Sequence, residues 1–215
     1  MDAEALRTRL EADEAEALAR LGSEQFLRAL AGGDPRPGPL LDAAAESEHA
    51  ARETFSQWVD DESDTEARAV FESVVEQEHD HRERVVDELD EWDPDDGGPG
   101  PMHAYLRARE STLQRVAGGL IGRPLVTLQT HARLIDFFAG RQGAAAARRA
   151  SLFDDLRAET AAVLDEGLTL LDERCVTDED WETARMVAGY AIRVAGDDAA
   201  DALRAQGIDP ASIDE

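Results

Sequence analysis

Residues 70–81 read VFESVVEQEHDH, in which apolar side chains recur at helical spacing. These apolar positions, beginning with Phe71, lie on one face of a helix that we predict over residues 65–92, and Glu78 interrupts that face. Residues three apart share a helix face, so Glu78 and His81 form a Glu-x-x-His pair whose side chains can act together. This pair is the first half of the chemical signature of the chain.

The preceding helix, predicted over residues 40–60, supplies the second half. Phe55 and its apolar neighbours occupy one face of that helix, and Glu48 lies in the middle of it. A buried carboxylate without a partner is costly, and a metal ion is one partner that compensates. Carboxylates and imidazoles hold iron or manganese in this way inside four-helix bundles. We therefore predict that Glu48 and Glu78 approach each other inside a bundle, with His81 beside them.

The composition is strongly acidic. The chain of 215 residues has 48 acidic and 22 basic residues, a formal net charge of -26, and no lysine. The acidic residues are spread over every segment, which is typical of adaptation to high salt. At molar salt the Debye length falls to about 3 Å, so repulsion among surface carboxylates is screened. Direct binding to nucleic acid is disfavoured because no basic face opposes this field.

Cysteine usage and hydropathy narrow the class of protein further. The single cysteine, Cys175, excludes an intramolecular disulfide and a cysteine-rich zinc site. The N-terminus lacks the apolar core of a signal peptide, and no run of about 18 apolar residues is present. We expect a cytoplasmic protein without membrane contact, whose partner would be a second copy of the chain or another protein.

The periodicity is helical throughout, which predicts an all-α fold built from antiparallel helical hairpins. We assign an N-terminal helical segment to residues 1–38, a helical bundle to 39–206 and an acidic tail to 207–215. The segment 93–101, rich in Asp, Pro and Gly, is the strongest predicted break. A short helix that carries Phe26, Leu27 and Leu30 is predicted to end at Gly32-Gly33. The remaining helices are predicted at 2–21, 102–120, 125–140, 145–174 and 178–205, with Gly122-Arg123-Pro124 as a break between the second and third of these.

The sequences of the two central helices resemble those of the rubrerythrins, members of the ferritin-like superfamily. The residues that fit the first two core helices of that family are Glu48, Ala51, Arg52 and Phe55, then Phe71, Glu72, Glu78, His81 and Arg84. The resemblance covers about residues 44–88. It implies a ferritin-like antiparallel four-helix bundle with additional helices, which binds iron or manganese and handles peroxide or oxygen.

The second half of the chain departs from the rubrerythrin pattern. That family has another Glu on the third core helix and another Glu-x-x-His on the fourth. Glu110 and His131 are the nearest candidates, and Ala162 stands where a His would follow Glu159. The resemblance therefore implies a degenerate second half-site, with at most one firmly held ion. The predicted ligands are Glu48, Glu78, His81, Glu110 and His131, with His79 as an alternative to His81.

A second interpretation needs no metal. Arg82 and Arg109 lie on apolar stripes, and their guanidinium groups can neutralise the two carboxylates as buried ion pairs. The chain would then be a non-catalytic regulatory or protein-interaction factor on the same fold. Similar proteins of salt-loving archaea carry both kinds of name, rubrerythrin-like and transcription antitermination. We expect His49 and His103 on the surface under either interpretation.

Overall fold

The computed structural model describes residues 1–94 and 98–210, and within those ranges all regular structure is helical. The predicted all-α class is confirmed. The helices are α1 (Ala3–Asp13), α2 (Ala15–Leu21), α3 (Glu24–Leu30), α4 (Pro37–Asp61), α5 (Thr65–Val86), α6 (Gly100–Arg107), α7 (Thr112–Arg115), a π-helical segment (Val116–Gly122), α8 (Arg123–Ala139), α9 (Ala144–Arg174) and α10 (Asp178–Ala205). None of these helices is both long enough and apolar enough to cross a lipid bilayer.

Helices α4 and α5 form the hairpin that the apolar stripes predict, and they pack along each other. The Asp64 side chain starts α5 by accepting hydrogen bonds from the backbone N–H groups of Glu66 and Ala67. The predicted end of α5 at residue 92 is wrong, because the helix stops at Val86. Beyond it the chain turns, and Glu88 forms ion pairs with Arg148 and Arg149 of α9.

The segment predicted as one helix over residues 102–120 is divided in the structure. The break falls between α6 and α7, where Ser111 caps the next helix by accepting from the Gln114 N–H. The predicted break at Gly122-Arg123-Pro124 is absent, because the π-helical segment continues directly into α8. Pro124 has no N–H to donate, and it lies in the first turn of α8, where that loss is tolerated.

The two C-terminal helices follow the prediction, and Thr177 with Asp180 forms the capping box of α10. The predicted single helix over 2–21 is broken at Glu14, whose carboxylate is bound by Arg193 of α10. The N-terminal helices α1, α2 and α3 all pack on α10. Of the predicted acidic tail only 207–210 is described, and 211–215 lies outside the described residues, as do 95–97 of the predicted break.

Four helices surround the side chains of Glu48, Glu78 and His81. Each of α4, α5, α8 and α9 passes through two separate apolar clusters, one containing Phe55 and Phe71 and the other containing Phe138 and Phe153. Followed along the chain, α4 and α9 run from the cluster of Phe138 and Phe153 to the cluster of Phe55 and Phe71. Helices α5 and α8 run the opposite way. The two pairs therefore run in opposite directions, and a layer of polar side chains separates the two apolar clusters at mid-height.

Candidate metal centre

The polar layer brings three predicted ligands together. Glu48 of α4 and Glu78 and His81 of α5 each offer a ligand atom, and these atoms lie within 4.8 Å of one another. Their exposed fractions are 2%, 1% and 0%, respectively. The prediction that the two carboxylates meet inside the protein with His81 beside them is confirmed, and this buried group can hold a metal ion.

The two distances from His81 to the carboxylates suit a single ion. His81 Nδ1 lies 4.0 Å from Glu48 Oε2 and 3.9 Å from Glu78 Oε2. A metal ion about 2.0–2.2 Å from each ligand leaves the ligand atoms at most about 4.4 Å apart. Two carboxylates and one imidazole form a mixed oxygen and nitrogen donor set, which suits iron, manganese or zinc.

The orientation of His81 is set by the fourth helix. Its Nε2 lies 2.5 Å from Glu159 Oε2, and the Glu159 carboxylate is also held by Arg84 at 3.0–3.1 Å. Burial lowers the pKa of His81, so the ring is neutral near pH 7. The single proton of the neutral ring then lies on Nε2, toward Glu159. Nδ1 is left as a lone pair that faces Glu48 and Glu78.

Arg123 supplies the positive charge of the layer. Its Nη2 lies 2.9 Å from Glu78 Oε1, and both residues are buried, with exposed fractions of 2% and 1%. Burial raises the pKa of Glu78 to about 8, although Arg123 opposes that rise. Neither carboxylate oxygen of Glu78 has an aligned hydrogen-bond donor among the described residues. Arg123 compensates the charge of Glu78 only in part.

The two remaining predicted ligands, His131 and Glu110, lie at different distances from this group. His131 of α8 is buried, and its Nε2 lies 3.4 Å from Glu48 Oε1, whereas His81 Nδ1 approaches the other oxygen of that carboxylate. Burial lowers the pKa of His131 to about 4, so this ring is neutral as well. Glu110 is exposed in the loop between α6 and α7, and the structure does not bring it to Glu48 or Glu78.

The ion-pair partners predicted from the sequence are wrong. Arg82 extends toward the surface, with Nη2 3.1 Å from His79 Nδ1 and its guanidinium 5.9 Å from the Trp92 ring centre. A long side chain can leave an apolar face in this way and keep its charge near water. Arg109 lies beyond the end of α6 and stacks over the ring of Tyr105, 4.2 Å from its centre.

Two other histidines depart from the predicted surface position. His103 is buried because α6 packs against α4, and its Nδ1 lies 3.0 Å from the Thr54 hydroxyl. Burial and two nearby arginines lower the pKa of His103 to about 3. His49 is half-buried, with its ring edge-on to Trp92. Exposed His79, the alternative ligand, points away to Glu83 and Arg82.

A cavity of about 620 Å³ reaches the centre from one side. Its walls are mainly apolar and come from α2, α3, α4, α6, α8 and α10, and both Glu48 and His131 line it. Glu78, His81 and Arg123 are not among its lining residues. The cavity thus meets the layer at the outer side of Glu48, where a small molecule or ion can approach.

Sequence reasoning missed Arg123 and the role of Glu159. Arg123 stands between Gly122 and Pro124, a pattern that indicates a break rather than a buried cation. Glu159 was noted only as a remnant of a ligand motif, whereas it is the hydrogen-bond partner of His81. Comparisons of this chain with protein-family models, curated proteins and solved structures found no significant match.

Proposed function

We propose that this protein is a metal-binding helical-bundle protein of the ferritin-like kind, which holds one divalent ion, iron or manganese, through Glu48, Glu78 and His81. The observation that carries the proposal is the unpartnered Nδ1 of His81. This nitrogen has no hydrogen-bond partner in the described part of the chain, is fully buried, and faces two carboxylates.

A lone pair that faces two carboxylate oxygens in an apolar interior is unfavourable without a cation between them. A second proton on His81 does not remove the difficulty, because both carboxylates are too far from Nδ1 for a hydrogen bond. A divalent ion bound to all three groups satisfies the lone pair and both carboxylates. The Glu159–His81 hydrogen bond matches the way in which carboxylates orient metal-binding histidines.

Bound iron or manganese would supply one-electron chemistry toward oxygen or peroxide. The side chains of the chain have simpler roles in this proposal. Glu48, Glu78 and His81 bind the ion, Glu159 orients His81, and the apolar layers above and below exclude water. With only three protein ligands, coordination positions remain for a small molecule that arrives through the cavity beside Glu48.

The second candidate is a non-catalytic regulatory or protein-interaction factor without metal. The contact between Arg123 and Glu78 favours it, because Arg123 already compensates part of the charge of one of the two carboxylates. Ala162, in the place of a second histidine, also fits a site that has lost ligands. Metal binding by the purified protein separates the two candidates.

The test is the metal content of protein purified in molar KCl, measured after loading with Fe²⁺ or Mn²⁺ and removal of free ion. We expect close to one ion per chain in the natural protein. Glu48→Gln removes one ligand charge, keeps the Arg123–Glu78 pair and should abolish retention of the ion. The matched control is Glu76→Gln, an exposed position on α5 that should leave the metal content unchanged. A natural protein that retains no ion would refute the proposal.

A further inference from the structure

Arg123 is held in the polar layer by three contacts. Its Nη2 lies 2.9 Å from Glu78 Oε1, its Nε donates to the Gly119 carbonyl at 3.3 Å, and its guanidinium lies 5.3 Å from the ring centre of Phe55. The side chain is 2% exposed. Its positive charge is therefore fixed within contact distance of a proposed metal ligand and cannot move into water without repacking.

We infer, on the basis of the proposed metal function, that Arg123 is a resident cation of this centre, which holds Glu78 in the metal-free protein and weakens the binding of a divalent ion. The residue is thus a determinant of metal affinity and not a ligand. It allows the layer to fold before any ion arrives, and it lowers the affinity for the ion without abolishing binding.

The charges of the layer give the physical reason. Two ionised carboxylates balance one divalent ion, but Arg123 takes up one of those two negative charges. Imidazole rings carry no negative charge, so His81 and His131 add none, and the charge of Glu159 is balanced by Arg84. A bound dication would therefore leave the buried layer with one net positive charge, which an apolar surrounding disfavours. A second dication would add two more positive charges to the layer. Arg123 therefore also restricts the centre to one ion.

The Arg123 guanidinium also has an effect that favours metal binding, but this effect is smaller than its repulsion of the dication. A guanidinium 2.9 Å from Glu78 Oε1 favours the ionised carboxylate that a metal ion requires of its ligand. A dication has twice the charge of the proton that it replaces, so its repulsion from Arg123 exceeds the help that Arg123 gives in removing that proton. The net effect of the guanidinium on metal binding is therefore unfavourable.

The experiment is a calorimetric titration of Mn²⁺ into the full chain and its variants in molar KCl. Removal of the charge in Arg123→Met should tighten Mn²⁺ binding by roughly tenfold or more, since a unit charge a few ångströms away is removed. Arg123→Lys keeps the charge and should keep the affinity of the natural protein. Arg115→Met is the matched control, because Arg115 is also buried and paired with a buried carboxylate, Glu62.

Equal or weaker Mn²⁺ binding by folded Arg123→Met would overturn the inference, as would an Arg123→Lys variant that binds as tightly as Arg123→Met. If Arg123→Met does not fold alone, it is refolded with Mn²⁺. Recovery of helical circular dichroism then supports the inference, and failure to recover overturns it. Binding by Arg123→Met but not by the natural protein would keep the inference and refute the proposed function. Absence of binding by both would refute both.

Discussion

At the scale of single residues, the centre depends on which atom of each side chain faces which neighbour. Glu48 directs one oxygen toward His81 and the other toward His131, at 4.0 and 3.4 Å. Glu78 is approached by Arg123 on one oxygen and by His81 on the other. Glu48 therefore connects α4 to α5 and α8, and Glu78 connects α5 to α8. A change of one side chain alters the position of its neighbours.

The residue whose role is most sharply testable is Glu159, because it touches His81 only at Nε2. Glu159→Gln should weaken metal binding by about 10- to 100-fold, the usual cost of losing the partner that orients a histidine ligand. The fold should persist, since Glu159 is partly exposed, with 42% of its side chain accessible. Calorimetry with Mn²⁺ measures the affinity, and exposed Glu166→Gln on the same helix is the control. An unchanged affinity would show that Glu159 does not orient the ligand.

At the scale of elements, the π-helical segment Val116–Gly122 sets the position of Arg123. Its glycines permit close approach: a Cβ on Gly119 would collide with Trp58, and one on Gly122 would lie 2.7 Å from the Ala188 carbonyl oxygen of α10. The wider turns of this segment deliver Arg123 to the first turn of α8, facing Glu78. The segment thus connects packing against α10 to the charge of the centre.

Gly122→Ala tests this connection. The contact atom is backbone of α10, which cannot rotate away, so the added methyl group should lower the free energy of unfolding by about 1–3 kcal/mol. Chemical denaturation measured by circular dichroism provides the value. Gly38→Ala in the first turn of α4 is the matched control, because a Cβ there meets no described atom within 4 Å. Equal stability of the two variants would mean that α10 yields to the methyl group.

At the scale of the whole molecule, the dominant feature is the net charge of -26. Many arginines are already committed to ion pairs with nearby carboxylates, as in Arg174 with Asp64 and Arg185 with Glu182. The excess of carboxylates remains on the surface and repels itself at low ionic strength. Exposed pairs of this kind contribute little, so they do not offset the repulsion.

Folding should therefore depend on salt. Dialysis into dilute buffer, where the Debye length is about 30 Å at 0.01 M, should reduce the helical circular dichroism, and molar KCl should restore it. The restored signal should accompany a higher melting temperature. A helical spectrum and a melting temperature that are the same in dilute buffer and in molar KCl would contradict this prediction.

Local periodicity was sufficient to predict the helical class and the α4–α5 hairpin. Together with the resemblance of these two helices to rubrerythrins, it also predicted the meeting of Glu48, Glu78 and His81. The reason is that side chains three or four residues apart share a helix face, whatever the rest of the chain does. The same reasoning assigned the wrong arginines, because Arg82 and Arg109 were chosen for their positions on apolar stripes, which do not show where a long side chain extends.

Only the tertiary structure decided which partners complete the centre. Arg123 and Glu159 reach it from α8 and α9, whose register against α4 and α5 depends on the π-helical segment and on contacts far apart in the chain. His103 is buried for a similar reason, since α6 packs on α4 and Thr54 provides a hydrogen-bonding partner. Such contacts are settled by the packing of whole helices against one another, which no local pattern of residues encodes.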